Sequence, residues 1–380
     1  MEYVKLEEIC TIVSGGTPSR SKPNYWNNGN IPWIKIKDMK SKYIDSAEEF
    51  ITEEGLNNSS TKMLKRDTIL YSIFATLGEV GILKIDACTN QAIAGLSLKE
   101  DSNILKEYLY YYLKSKKKDV NNLGRGVAQN NINLSLLRKF KIPVIPLRQQ
   151  KKIIEVLDNV SSTINNYERE LALLDELVKA RFVEMFGDPV TNDMLWNTDV
   201  LKDICTKIGS GSTPRGGKES YINEGISLIR SMNVHNAYFE YKDLAHITLD
   251  QAEKLNNVVV EHDDLLFNIT GASVARCCVV PSDVLPARVN QHVCILRCRE
   301  KINPIFLQGL LVNENYQGKL LQIAKSGATR EAINKQQLES LEIMIPPLEF
   351  QNQFASFVQE IDKSRLLSNH SLFLIKSLIF

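Results

Sequence analysis

The sequence predicts a mixed α/β (α+β) chain: two duplicated globular domains, each followed by one long helix. Three observations carry that prediction. Ile153, Leu157, Val160, Ile164, Tyr167, Leu171, Leu174 and Val178 recur in alternating steps of four and three, the spacing of a coiled-coil seam. Adding 201 to each lands on Phe354, Val358, Ile361, Arg365, Ser368, Leu372, Ile375 and Ile379, six of them apolar and in the same phase. Short motifs between these stretches also recur in order, at an offset that drifts only from 195 to 201 residues. A period near 200 residues signifies domain duplication rather than a solenoid.

These repeats divide the chain into a first domain (1–146), a central helix (147–187), a second domain (188–347) and a terminal helix (348–380). No Pro or Gly interrupts the central stretch between Pro146 and Gly187, and Pro189 follows. About forty residues at 1.5 Å rise make a rod of roughly 60 Å.

The first domain opens on an amphipathic segment from Val4 to Cys10, followed by the turn Ser14-Gly15-Gly16-Thr17-Pro18-Ser19-Arg20. Ile31 to Lys37 alternates apolar and polar as a half-buried strand does, and Thr52 before two glutamates suits a helix start. Thr68 to Phe74 and Val80 to Ile85 read as further strands. Asn103 is placed to cap a helix running to Lys117, Leu134 to Phe140 to form a helical turn, and Lys141 to Pro146 to enter the rod extended. In the second domain Leu201 to Cys205, Ser210 to Arg215, Ile226 to Asn233, Thr248 with Gln251, Leu266 to Ile269, Asn290-Gln291 and Asn303-Pro304 repeat that order.

Composition bounds the function. With 43% hydrophobic and 24% charged residues the chain can bury two cores, and net charge is only +1. Residues 1–146 carry 21 Lys+Arg against 16 Asp+Glu, so a nucleic-acid surface would be a local patch rather than a global field. The lack of a membrane-length apolar run or a signal pattern predicts a cytoplasmic location, and seven unspaced cysteines predict reduced thiols.

Catalytic signatures are missing. The turn from Gly211 to Glu219 resembles a phosphate loop but fails the spacing, because Gly217 and Glu219 stand where a Walker loop needs other residues. Cys277, Cys278, Cys294 and Cys298 with His292 suggest zinc ligands, yet the first copy lacks all four cysteines, and core packing is the better reading. No metal site and no catalytic residue is expected. The polar residues that differ between the copies point to recognition. Arg and Lys suit guanine, while Asn and Gln suit adenine. The candidate DNA contacts in the first domain are Thr17, Ser19, Arg20, Lys22, Lys35, Lys37, Thr76, Asn90, Gln91, Arg125, Gln129, Asn130 and Asn131. In the second they are Thr213, Arg215, Lys218, Arg230, Asn233, Arg276, Asn290, Gln291, Thr329 and Arg330.

The order Ser14 to Ser19, Tyr25-Trp26, Ile31 to Ile34, Asn90-Gln91, Ile142 to Leu147 and Gln149-Gln150 resembles a target recognition domain of type I restriction–modification specificity subunits. So do Leu174 to Leu177 and Phe182 to Pro189, and the second copy repeats the set with Ser212 to Pro214, Ile345 to Leu348 and Gln351. The resemblance implies two target recognition domains separated by two long antiparallel coiled-coil helices, with no catalytic activity in this chain. It implies that each domain reads one half of a bipartite double-stranded DNA target while the helices set the spacing. It also implies assembly with two adenine-N6 methyltransferase subunits and with restriction subunits, which would bring S-adenosylmethionine, ATP and Mg. The chain departs from the pattern in its terminal helix, where no counterpart of Arg181 to Phe186 occurs and Arg365 and Ser368 interrupt the seam. A coiled-coil adaptor without DNA reading is the competing expectation, and a stand-alone nuclease or methyltransferase the third.

Overall fold

The computed structural model describes residues 2–124, 132–325 and 331–379. The chain forms two compact units, Met1–Thr163 and Ile164–Phe380.

In the first unit a five-stranded sheet runs in the order Cys10–Ser14, Ile93–Leu98, Ile69–Ser72, Val80–Leu83, Tyr43–Ile44. Its pairs are antiparallel except the last, which is parallel. A smaller sheet orders Glu49–Ile51, Ile31–Ile34 and Cys88–Thr89. Ile69–Ser72 is buried along its whole length, which explains a continuous apolar run where a half-exposed strand would alternate. Ile69 and Tyr71 face a core with Leu96, Leu109 and Leu113, while Leu70 faces another with Ile34, Leu83 and Ile93.

The second unit repeats the plan. Cys205–Ser210, Val293–Cys298, Leu265–Asn268 and Cys277–Val279 form one sheet, and Ala245–Ile247, Ile226–Ile229, Ala287–Val289 and Val259–Val260 the other. Leu265 and Phe267 enter one core and Leu266 the opposite one. Adjacent Cys277 and Cys278 separate in the same way, Cys277 joining Cys294 on one side and Cys278 lying on the other. Burial pushes the Cys278 and Cys294 thiols up to about 12 and holds the Cys277 thiol well above its ordinary value. These are core side chains held as neutral thiols.

Each globular domain opens on a short strand that pairs with the strand leading into the helix after it, Glu2–Lys5 with Lys141–Val144 and Thr198–Val200 with Glu342–Met344. The central helix spans Leu147–Phe186 and the terminal helix Leu348–Ile379. Gly187 closes the first with a φ of +76°, the left-handed conformation that glycine adopts most readily. A fully buried glutamine anchors each helix to its own unit. Gln150 Oε1 accepts the Leu105 amide at 2.8 Å, and its Nε2 donates to the Asn103 and Ile145 carbonyls at 2.7 and 2.8 Å. Gln351 likewise accepts from the Asn303 amide at 2.8 Å and donates to the Lys301 and Pro346 carbonyls at 3.3 and 2.7 Å.

Within the second unit the two helices run antiparallel. Asp175 pairs with Arg365 at 2.7 Å, Glu170 accepts from Ser368 at 3.0 Å, and Glu168 accepts from Lys376 at 2.8 Å. Phe182 and Phe186 set their rings 5.4 and 5.7 Å from Phe354. Phe354, Val358 and Leu372 are buried, and Ile164, Tyr167, Leu171, Leu174, Val178, Ile361 and Ile375 partly so, as the beat requires. Arg365 and Ser368 keep that phase, since Ser368 is only 6% exposed. The seam therefore passes through a polar layer. Ile153 corrects the expectation: it is exposed, while Ile154 and Leu157 pack on the first unit's own core. The first turns of the helix thus belong to the domain before them. Val160 is partly buried, and the Ile379 side chain lies outside the described residues.

Two local expectations are corrected. The strand beginning at Ile31 stops at Ile34, because the Asp38 carboxylate accepts the Lys35 amide at 2.7 Å and turns the chain. Asn103 caps no helix, for the helix begins at Lys106 and Leu105 occupies the cap position. Its counterpart Asn303 does cap Pro304–Leu311, accepting from the Ile305 amide at 2.9 Å.

Candidate nucleic-acid interface

Two turns meet in the same way in both units. The glycine-rich turn lies so close to the Asn-Gln turn that a Cβ on Gly15 would sit 2.1 Å from the Asn90 carbonyl oxygen. One on Gly211 would sit 1.8 Å from the Val289 carbonyl oxygen. Glycine is needed here for close approach of backbone to backbone. Across this contact Thr17 donates to Gln91 Oε1, and Thr213 donates to Gln291 Oε1. Asn90 and Asn290 serve the turn itself, each accepting the amide two residues on, Ala92 at 3.1 Å and His292 at 3.0 Å. Gln91 and Gln291 are exposed and keep amide hydrogens for another partner.

In the first unit Arg20, Lys22, Lys35 and Lys37, the predicted cations among the described residues, already have partners. Arg20 stacks 3.6 Å over the Trp26 ring and donates to Glu49 at 2.5 Å. Lys35 pairs with the same Glu49, and Lys37 with Glu48. The hydrogen bond from Lys37 holds the Glu48 carboxyl below its ordinary range. Lys22 donates to the Tyr25 hydroxyl at 3.0 Å. Tyr25 is core, while Trp26 is half-buried with its ring edge against Trp33. Ser19 shares a hydrogen bond with Ser21, and Thr76 is exposed beside Phe74 and Ala75. Sequence reading missed Glu48 and Glu49. Their role follows from pairing the Glu49–Ile51 strand with Ile31–Ile34, which sets Glu49 opposite Trp33.

In the second unit Arg230 donates to the Asp243 carbonyl oxygen and lies 5.4 Å from the Tyr221 ring. Arg215 and Lys218 are exposed on their turn. Asn233 is fully buried, its amide bonded to the Glu240 and Lys242 carbonyls at 2.9 and 3.3 Å, so it holds a turn and cannot reach a ligand. Arg276 contacts His235 Nδ1 at 3.4 Å, and the His235 ring stacks on Tyr238. Arg276 also lines a cleft of about 420 Å³ with Ser231, Met232, Thr270, Gly271, Ala272, Ser273 and His292. Thr270, Ser273, His235 and His292 were not among the predicted contacts. Arg125, Gln129, Asn130, Asn131, Thr329 and Arg330 lie outside the described residues.

Two copies of one scaffold, presenting different polar side chains at matching turns, define a recognition protein. The family model described as the type I restriction modification DNA specificity domain matches residues 1–175 and again 194–375, and the chain belongs to that family. The EcoR124I/EcoR124II specificity subunit of Escherichia coli is 34% identical over 188 residues, a match spanning 48% of this chain and 46% of that protein. The MjaIX specificity subunit of Methanocaldococcus jannaschii is 26% identical over 398 residues, 98% of this chain and 89% of that one. The solved S subunit of a type I restriction–modification system from M. genitalium shares the fold with a TM-score of 0.59 at 14% identity, covering 100% of this chain and 93% of that one.

Proposed function

We propose that this chain is the non-catalytic DNA specificity subunit of a type I restriction–modification enzyme, with each domain reading one half of a bipartite target in double-stranded DNA. The observation that carries this reading is the paired Thr–Gln turn contact, built identically in both units and surrounded by dissimilar side chains. The domains are 1–146 and 188–347, and the helices 147–187 and 348–380 set the spacing between half-sites. Thr17, Ser19, Arg20, Lys22, Lys35, Lys37, Thr76 and Gln91 serve the first half. Thr213, Arg215, Lys218, Arg230, Arg276 and Gln291 serve the second. The Arg and Lys side chains supply phosphate contacts and guanine readout, and Gln91 suits adenine. Arg125, Gln129, Asn130, Asn131, Thr329 and Arg330 are proposed contacts from the sequence alone.

Two adenine-N6 methyltransferase subunits dock on the helices and bring S-adenosylmethionine; restriction subunits bring ATP and Mg. The assembly works in the cytoplasm, and among the described residues no helix is long and apolar enough to cross a membrane. A gel-shift or methylation assay on the selected target with its spacer lengthened by two base pairs tests the spacing role. Loss of binding is expected, and undiminished binding contradicts it.

A further inference from the structure

The second unit carries a chain of hydrogen bonds that the first lacks. Thr213 donates to Gln291 Oε1, Gln291 Nε2 lies 3.2 Å from His292 Nε2, and His292 Nδ1 lies 2.6 Å from Thr270 Oγ1. The direction of every link follows from the first. A carboxamide oxygen only accepts, so Thr213 is the donor; the Gln291 nitrogen carries hydrogens only, so it donates to His292 Nε2. The imidazole proton then sits on Nδ1 and goes to Thr270 Oγ1. Thr270 receives that hydrogen bond and keeps its own hydroxyl hydrogen to donate to another acceptor, and Gln291 retains one free amide hydrogen.

These hydrogens stand beside the cleft that Arg276 lines with five guanidinium N–H groups, held through His235 on the Tyr238 ring. None of the eight residues lining that cleft carries a carboxylate. At the matching positions of the first unit His292 becomes Ala92 and Thr270 becomes Phe74, the latter 38% exposed, so the relay stops at Gln91 and an apolar edge takes its place.

We infer that Thr270, Gln291 and Arg276 form an edge of hydrogen-bond donors that reads guanine in the half-site of the second unit, with His292 as the positioning residue that fixes the direction of the donors. In the major groove only guanine offers two neighbouring acceptors, O6 and N7. Adenine sets a donor beside its N7, thymine sets a methyl beside its O4, and cytosine presents a donor. The inference rests on the DNA-reading role proposed above and adds which base the second half contains and which residues demand it.

Target selection from randomised duplexes with the full chain, bound to its methyltransferase subunits, tests it. The wild type is expected to enrich a bipartite motif with an invariant guanine in the half assigned to the second unit. Thr270→Val should relax that position, and 7-deazaguanine there should lower affinity about tenfold, the loss expected when one good base contact goes. Thr270→Ser, which keeps the hydroxyl, should restore the preference, and His292→Ala should relax it as Thr270→Val does. A Thr270→Val motif identical to the wild type, or equal loss across both halves, overturns the donor edge while leaving the reader role standing. A wild-type complex that enriches no motif overturns both. Because Thr270→Val is isosteric at a half-buried site, it still decides the matter should His292→Ala fail to fold.

Discussion

Glu49 holds two of the first unit's candidate DNA cations at once, and this shapes how that surface behaves. An exposed ion pair adds little to stability, but two lysine or arginine heads engaged with one carboxylate are less available to phosphate. Replacing the carboxylate with an amide releases Arg20 and Lys35. Glu49→Gln should therefore tighten DNA binding and steepen its salt dependence, by up to about two in the slope of log K against log salt. Binding isotherms between low and moderate salt check this, and an unchanged slope would place those cations away from DNA. A second residue-scale prediction concerns acid. The Lys106 hydrogen bond lowers the Asp67 pKa in the folded chain. A carboxyl depressed by folding contributes its stability above its unfolded pKa, and the contribution disappears as pH falls through the folded value. Asp67→Asn should thus lose less stability than wild type between neutral and acid pH in denaturant titrations. Asparagine also tolerates the φ of +73° at this position, so the comparison carries little backbone strain.

At the scale of elements, each helix is tied to its domain by one buried side chain. Gln150 and Gln351 satisfy a backbone amide and two carbonyls apiece, all drawn from the segment that opens a helix and the strand that precedes the rod. Gln351→Leu leaves those groups unpaired in a dry site and should destabilise the chain by about 2 kcal/mol or more in urea titration. A change within experimental error would show that water replaces the side chain. The polar layer of the seam makes the opposite prediction. Arg365 and Ser368 sit at core positions and meet Asp175 and Glu170, an arrangement that fixes register more than it adds stability. The double change Arg365→Leu with Ser368→Leu should leave the melting temperature equal or higher, yet broaden the range of spacer lengths accepted in target selection. A marked fall in melting temperature would make the layer a stabilising one.

Legibility differed with the kind of signal. The helices and the repeat could be read because period and order are local properties of the chain, and Arg365 and Ser368 kept the phase despite their polarity. Strand limits were less legible, since the Asp38 turn that ends the Ile31 strand competes locally with sheet hydrogen bonding. Asn103 and Asn303 look equivalent in sequence, but only Asn303 caps, because the first unit's helix starts at Lys106 with Leu105 in the cap position, while the second starts at Pro304 directly after Asn303. The candidate interface was the least legible. Sequence marks Arg20, Lys35 and Lys37 as candidate contacts, and only the folded chain reveals Glu48 and Glu49 beside them. Asn233 looked like a polar tip until its burial was known. His292 invited a metal reading, and its hydrogen bonds to Gln291 and Thr270 come from a fold that joins two separate turns.

At the scale of the whole molecule, duplication explains how one chain can recognise an asymmetric sequence. A single domain copied unchanged would read the same bases twice, whereas here the Thr–Gln contact persists and its surroundings diverge. Modular reading follows: each half of the target should depend on one domain alone. The most direct measurement replaces residues 1–146 with the corresponding domain of another family member and sequences the methylated positions in a host carrying the complete system. The account predicts that one half of the bipartite motif changes while the other half and the spacer stay as they were. A change in both halves, or in neither, would contradict it.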